Sequence, residues 1–116
     1  MERPAQITND HEWRASCSEI VRVARGILDH SMGVVAGARL LSALCFRVSA
    51  ENDPDFLTFT GIDSDTDRFP LGEVRSRWSS EALARYDDER LTAEAHWRKY
   101  AEGACTNLIQ KYGVAG

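Results

Sequence analysis

Apolar side chains recur every three or four residues along the first third of the chain and predict two amphipathic helices. The first spans about residues 10–29, and its apolar stripe is Trp13, Cys17, Ile20, Val21, Ala24, Ile27 and Leu28. The second spans about residues 34–48, and its stripe is Val34, Ala38, Leu41, Leu44, Cys45 and Val48. Stripes with this spacing are typical of helices that bury one face. The short turn between them favours an antiparallel hairpin.

A third stripe predicts one long helix at the end of the chain. Ser79 or Ser80 caps its start, and it reaches Tyr112, which makes it about 50 Å long at a rise of 1.5 Å per residue. Arg90 interrupts the stripe, so we expect the first half of this helix to project from the bundle or to contact a partner. The apolar positions are Leu83, Tyr86, Ala93, Trp97, Tyr100, Ala101, Ala104, Cys105, Leu108, Ile109 and Tyr112.

The middle of the chain shows no helical period. Asp53 and Pro54 are good starting residues for a helix, and we expect one short turn that ends near Leu57. From residue 59 to 69 a glycine and a run of alternating aspartates favour turns. We therefore predict an ordered acidic loop over residues 59–69, anchored by its apolar side chains, and then a short helix over residues 71–78. Long loops in compact domains are often functional.

These patterns together predict an all-α fold. The 116 residues, 43% hydrophobic and 28% charged, are typical of one globular domain. We expect a compact bundle of three or four main helices with one ordered acidic loop. We expect residues 1–7 to be a flexible lead-in and residues 113–116 to be a frayed tail.

Charge and cysteine content limit the classes of function that fit this sequence. A net charge of −4 argues against sequence-independent nucleic-acid binding, which needs a basic surface, and it suits a basic protein partner. The three cysteines, an odd number without a CxxC pair, argue against a disulfide framework. No signal peptide or membrane-spanning run is visible, so we expect a cytoplasmic protein.

Acidic side chains are concentrated around the predicted loop, and they have three interpretations. They can form turns and pair internally with Arg75 or Arg77. They can bind a metal ion. They can also form a recognition surface for a basic partner, anchored by Phe69 or Trp78, because charge steers the encounter and an aromatic side chain supplies affinity. The acids of this surface are Glu51, Asp53, Asp55, Asp63, Asp65 and Asp67.

The metal interpretation depends on Asp63, Asp65 and Asp67. Their spacing resembles the start of a calcium loop, but Arg68 stands where an EF-hand has glycine and Val74 stands where it has glutamate. A metal-binding protein or a metal-dependent enzyme remains the alternative that uses these aspartates.

Catalytic patterns are not visible in the sequence. No two of the three histidines are four residues apart, so a helical zinc pair is not expected. No nucleophile motif or phosphate-binding glycine loop is present either. We therefore predict a protein that is not an enzyme and needs no cofactor.

The run from Gly61 to Trp78, G-I-D-S-D-T-D-R-F-P-L-G-E-V-R-S-R-W, resembles a pattern in small uncharacterised bacterial cytosolic proteins. That pattern is G-I-D-S-[DE]-T-D-x-x-P-L-G-x-x-R-x-x-W. The resemblance implies no catalytic residues. In size and character these proteins are similar to immunity proteins of bacterial toxin loci. The first hypothesis is therefore an immunity protein that binds and neutralises a toxin, and a structural subunit that dimerises through its last helix is a further alternative.

Overall fold

The computed structural model describes residues 2–113, and in this range it contains helices and no strand. The α-helices are α1 (Asp10–Leu28), α2 (Val34–Arg47), α3 (Pro54–Thr66) and α4 (Ser80–Tyr112), and a 3₁₀ helix (Gly72–Arg77) precedes α4. The four α-helices pack against each other, so the predicted all-α bundle is confirmed. Met1 of the predicted lead-in and residues 114–116 of the predicted tail lie outside the described residues.

Helices α1 and α2 form the predicted hairpin. The Asn9 side chain caps α1 by accepting a hydrogen bond from the Glu12 N–H at 3.0 Å. The turn reverses through His30, whose φ of 66° is left-handed. A Cβ atom at Gly37 would overlap the buried side chain of Ile27, so glycine allows the two helices to approach closely.

Helices α3 and α4 run antiparallel. The Asn107 amide near the end of α4 donates to Asp55 at the start of α3 at 3.0 Å. The Trp97 indole N–H, ten residues earlier in α4, donates to Asp65 near the end of α3, also at 3.0 Å. One apolar core lies between the four helices and includes Ile20, Ile27, Leu41, Phe56, Phe59, Ile62, Cys105 and Leu108.

The first half of α4 lies outside this core. The buried residues of α4 begin only at Ala101. Its first turns, through Tyr86 and Asp87, pack on residues 67–79, which we call the connecting segment. Tyr86 contacts Phe69 and Trp78 edge to face, with ring centroids 6.3 and 5.1 Å apart. The expectation that this half departs from the bundle is met, and the connecting segment covers part of it.

The prediction of an acidic loop over residues 59–69 is wrong for most of its length. Helix α3 continues to Thr66, and only the short stretch after it is irregular. The buried side chains of α3 are three or four residues apart: Phe56, Phe59, Ile62 and Thr66. Burial of this stripe outweighs the turn preference of the aspartates. The predicted short helix over residues 71–78 is a 3₁₀ helix.

Candidate functional site

Two of the predicted surface acids tie the start of α3 to the end of α4. Asp53 caps α3 by accepting from the Asp55 N–H at 2.8 Å. The Lys111 ammonium donates to Asp53 at 2.8 Å and to Asp55 at 2.7 Å. A shared ammonium neutralises part of the charge of both carboxylates, so this pair has a structural role.

The pKa values at this tie follow from its contacts. Burial by itself raises the pKa of the Asp53 carboxyl, but hydrogen bonds from Lys111 and from backbone N–H groups outweigh it, and the pKa lies below its ordinary value. The hydrogen bonds from Lys111 to Asp53 and Asp55 in turn raise the pKa of the Lys111 ammonium. Both shifts favour the charged forms.

Asp63 is also held inside the fold. Its carboxylate accepts from the Ser42 hydroxyl at 3.0 Å and from Arg39 at 3.4 Å. The Arg39 guanidinium further donates to the carbonyl oxygens of Thr66 and Phe69 at 3.0 and 3.3 Å, at the end of α3. Internal pairing was expected for the acids, but with other arginines. Arg75 instead makes two hydrogen bonds, of 2.7 and 2.8 Å, to Asp87 of α4.

Asp65, Asp67 and Glu51 are the predicted acids that remain exposed. Asp65 lies near the end of α3, and Asp67 follows that end. Glu51 precedes α3, so about 20 Å of helix separates it from Asp67. The structure therefore brings Asp65 and Asp67 to one end of α3 and places Glu51 at the other.

A groove beside Asp65 contains further acids, and we call it the acidic groove. It lies between the end of α3 and the middle of α4 and has a volume of about 520 Å³. Arg68 is 3.8 Å from Glu89, whereas Asp88 points to solvent beside them. The groove is lined by Asp65, Arg68, Asp88, Glu89, Thr92, Ala93 and His96.

Sequence reasoning missed the contribution of α4 to this groove. The acidic run from Asp87 to Glu89 is visible in the sequence. Its pairing with the end of α3 depends on how two distant segments pack, and no local signal reports that.

The two predicted aromatic anchors differ in exposure. Phe69 is only 1% exposed and packs on Tyr86 in the covered part of the connecting segment, so it is removed from the predicted surface. Trp78 is 37% exposed, so part of its ring is accessible to solvent.

The geometry of α3 does not favour a metal site. Residues two apart on a helix point about 200° away from each other, and Asp63 accordingly faces α2 while Asp65 faces α4. In residues 2–113, no three histidine, cysteine, aspartate or glutamate side chains are close enough to share an ion.

The cysteines have the character of core residues. Cys17, Cys45 and Cys105 are free and buried. Burial raises the pKa of the Cys105 thiol to about 12, which leaves almost no thiolate at neutral pH. The histidines lie in three different places: the first turn of α1, the α1–α2 turn and the middle of α4.

No protein-family model, curated protein or solved structure matches this chain. The class of protein is therefore defined by the fold alone, an all-α four-helix bundle. Among the described residues, no helix combines the length and the apolar character needed to cross a bilayer.

Proposed function

We propose that this protein is a non-catalytic protein-binding module of the cytosol, and that its acidic groove recognises a basic surface of another protein. The most specific form of the proposal is an immunity protein that binds and neutralises a bacterial toxin. The observation that supports it is the meeting of Asp65, Asp88 and Glu89 on one exposed surface. These carboxylates come from two helices, α3 in the core and the first half of α4, which rests on the connecting segment.

The acidic groove suits fast and selective binding. Exposed carboxylates raise the association rate of a positively charged partner and disfavour acidic competitors. Only Arg68 in the groove offsets them with a permanent positive charge. Because α3 and α4 are already folded, binding requires little ordering of the backbone, and that lowers its entropic cost.

The groove also defines which charges a partner would meet. Asp53, Asp55 and Asp63 already accept hydrogen bonds from Lys111, Arg39 or Ser42. A partner would have to compete with these contacts. Asp88, on the exposed side of α4, can meet a lysine or arginine with little disturbance of the fold, whereas Glu89 would exchange its contact with Arg68, 3.8 Å away, for one with the partner.

The test is titration calorimetry with the product of the neighbouring gene, prepared in an inactive form. In the protein, Asp88→Lys and Glu89→Lys are combined. We expect binding to weaken by about tenfold or more, which corresponds to about 1.4 kcal/mol, and to lose much of its salt dependence.

The matched control reverses two acids at the other end of the molecule, Glu2→Lys and Glu12→Lys, and changes the net charge equally. Both side chains are exposed. Equal weakening in the two double variants would show that only the net charge matters. Unchanged binding in the first variant would reject the acidic groove as the binding surface.

A further inference from the structure

Two glycines inside the helices α3 and α4 are not required by side-chain packing within the fold. A Cβ atom at Gly61 or at Gly103 would meet no other atom within 4 Å. Glycine is a poor helix former, and at both positions alanine would fit the free protein. Gly37 differs from them, because the side chain of Ile27 occupies the space beside it.

The two glycines lie on one surface. Between the Asp55–Asn107 and Asp65–Trp97 hydrogen bonds, α3 and α4 run side by side for ten residues each, about 15 Å. Gly61 is one turn from Asp65 on α3, and Gly103 is one turn from Asn107 on α4.

Exposed apolar side chains flank both glycines. Leu57, one turn before Gly61, is 49% exposed, and Tyr100, one turn before Gly103, is 57% exposed. We call Leu57, Gly61, Tyr100 and Gly103 the glycine face. On α3, Asp65 follows Leu57 and Gly61 at the same four-residue spacing, and Asp65 also lines the acidic groove.

We propose that the glycine face binds an amphipathic helix of the partner, with the lysine or arginine side chains of that helix in the adjoining acidic groove. This inference rests on the proposed function and names the form of the partner. A third helix fits between two parallel ridges of side chains. The glycines let its backbone approach closely, and Leu57 and Tyr100 contact its apolar stripe.

The charges of the adjoining acidic groove favour a basic partner over a second copy of the same chain. A symmetric pair formed through the glycine face, with its two-fold axis along the helices, would bring two acidic grooves together. Asp65 and Asp88 of each copy would then face like charges, which opposes association. Lysine or arginine residues on a partner helix would complement the same groups.

The test is a nuclear magnetic resonance titration of the full chain with three synthetic peptides of about 18 residues, long enough to cover the surface as a helix. One has lysine and leucine in helical period, one has glutamate and leucine in the same period, and one has lysine and serine. The backbone amide signals of Gly61 and Gly103 report directly on the face.

We expect only the lysine–leucine peptide to bind at concentrations up to about 1 mM, with its largest shifts at Gly61, Gly103 and their neighbours. Three results would overturn the inference: no binding, largest shifts elsewhere, or equal binding of the glutamate–leucine peptide. If both lysine peptides shift only the acidic groove, the glycine face is rejected while the proposed function stands. If charge makes no difference, the proposed basic partner is rejected as well.

Two sets of variants distinguish the loss of a contact with the peptide from a change in the stability of the protein. The pair Gly61→Ala and Gly103→Ala should raise Tm by roughly 3 °C or more and weaken peptide binding about fivefold or more, because methyl groups keep the peptide backbone away. Stronger or unchanged binding in this pair would contradict close backbone approach.

Leu57→Ala should also weaken peptide binding, whereas Leu40→Ala is its matched control. Leu40 is 42% exposed but belongs to α2. Equal effects of the two leucine variants would reject the glycine face as the site. A concentration-dependent dimer of the free protein that Leu57→Ala abolishes would assign the face to a second copy instead.

Discussion

At the scale of single residues, side chains from one helix complete the ends of another. Gly33, the residue before α2, has no side chain to cap the helix, and Glu94 of α4 accepts from the Val35 N–H at 3.1 Å. A Cβ atom at position 33 would overlap the Glu94 carboxylate. Arg39 performs the converse role at the end of α3. Helix ends leave N–H and C=O groups without partners, and here the tertiary fold supplies the partners.

The cap from Arg39 can be tested by Arg39→Met, which keeps much of the apolar stem. We expect the free energy of unfolding to fall by about 1–2 kcal/mol, because two carbonyl oxygens and Asp63 lose a charged donor that is itself partly exposed. Urea denaturation measures the change. Arg47→Met, at an exposed position in the last turn of the same helix, should change the value by about 0.5 kcal/mol or less. Similar losses in both variants would rule out a special role for Arg39.

The tie through Lys111 predicts a dependence of stability on pH. The pKa of Asp53 is lowered in the folded protein, so its contribution is present above the unfolded pKa and is lost as pH falls through the folded pKa. The pKa of Lys111 is raised, so its contribution is present below the unfolded pKa and is lost as pH rises through the folded pKa.

Lys111→Met should therefore lower the free energy of unfolding by about 1 kcal/mol at pH 7, a value that allows for the partial exposure of Lys111. The deficit should shrink as pH falls from about 4 through the lowered pKa of Asp53. Denaturant unfolding at several pH values gives both numbers. Lys99→Met removes an exposed lysine from the same helix and serves as the control. A deficit that stays the same at every pH would show that the ammonium contributes only packing.

At the scale of the helices, the two halves of α4 pack on different parts of the protein. Its second half, from Ala101 on, is buried in the core. Its first half rests on the connecting segment through Tyr86 and through Asp87, whose pKa is lowered mainly by the hydrogen bond from Arg75. Segments with few buried contacts open more readily than the core.

Hydrogen exchange should therefore be faster in residues 80–92 than in residues 101–111. Tyr86→Ala should speed exchange in residues 80–92 selectively, because it removes the contacts with both Phe69 and Trp78. Tyr100→Ala, a loss of an exposed tyrosine from the same helix, should not have this effect. Uniform protection along α4 in the unmodified protein would contradict the division into two parts.

The helices also differ in how far their sequences predict them. The stripes of α1, α2 and α4 contain many large apolar residues at regular spacing, and the predicted bounds lie within about two residues of those observed. The stripe of α3 contains only three large apolar residues and includes Thr66, which is fully buried. Thr66 satisfies its hydroxyl by donating to the Ile62 carbonyl at 2.6 Å, and a polar residue type does not reveal such burial.

At the scale of the whole molecule, the distribution of charge over the surface decides which ligands are plausible. Helix α3 turns Asp63 towards α2 and Asp65 towards α4, so the aspartates that suggest calcium in the sequence do not converge. The exposed acids instead spread over the groove between α3 and α4. A spread of carboxylates suits several lysine or arginine side chains better than one ion.

Added cations should accordingly leave the stability of the protein unchanged. We expect Tm to stay constant with Ca²⁺, Mg²⁺ or Mn²⁺ at about 5 mM. A specifically bound ion, present at 100 times its dissociation constant, would instead stabilise the fold by about 2.7 kcal/mol and raise Tm. Thermal melting followed by circular dichroism provides the measurement. A rise in Tm with one of these ions and not with the others would contradict the geometric argument.

The sequence by itself determined the helical class, the hairpin of α1 and α2, and the long α4, because each depends on the local spacing of apolar residues. It also marked the acidic residues and the aromatic residues between them. Only the tertiary structure decided that α3 is a helix, that Lys111, Arg39 and Ser42 hold three of its acids, and that Asp88 and Glu89 join Asp65. The physical reason is that these contacts link residues far apart in the chain, and their free energy arises only when the helices pack together.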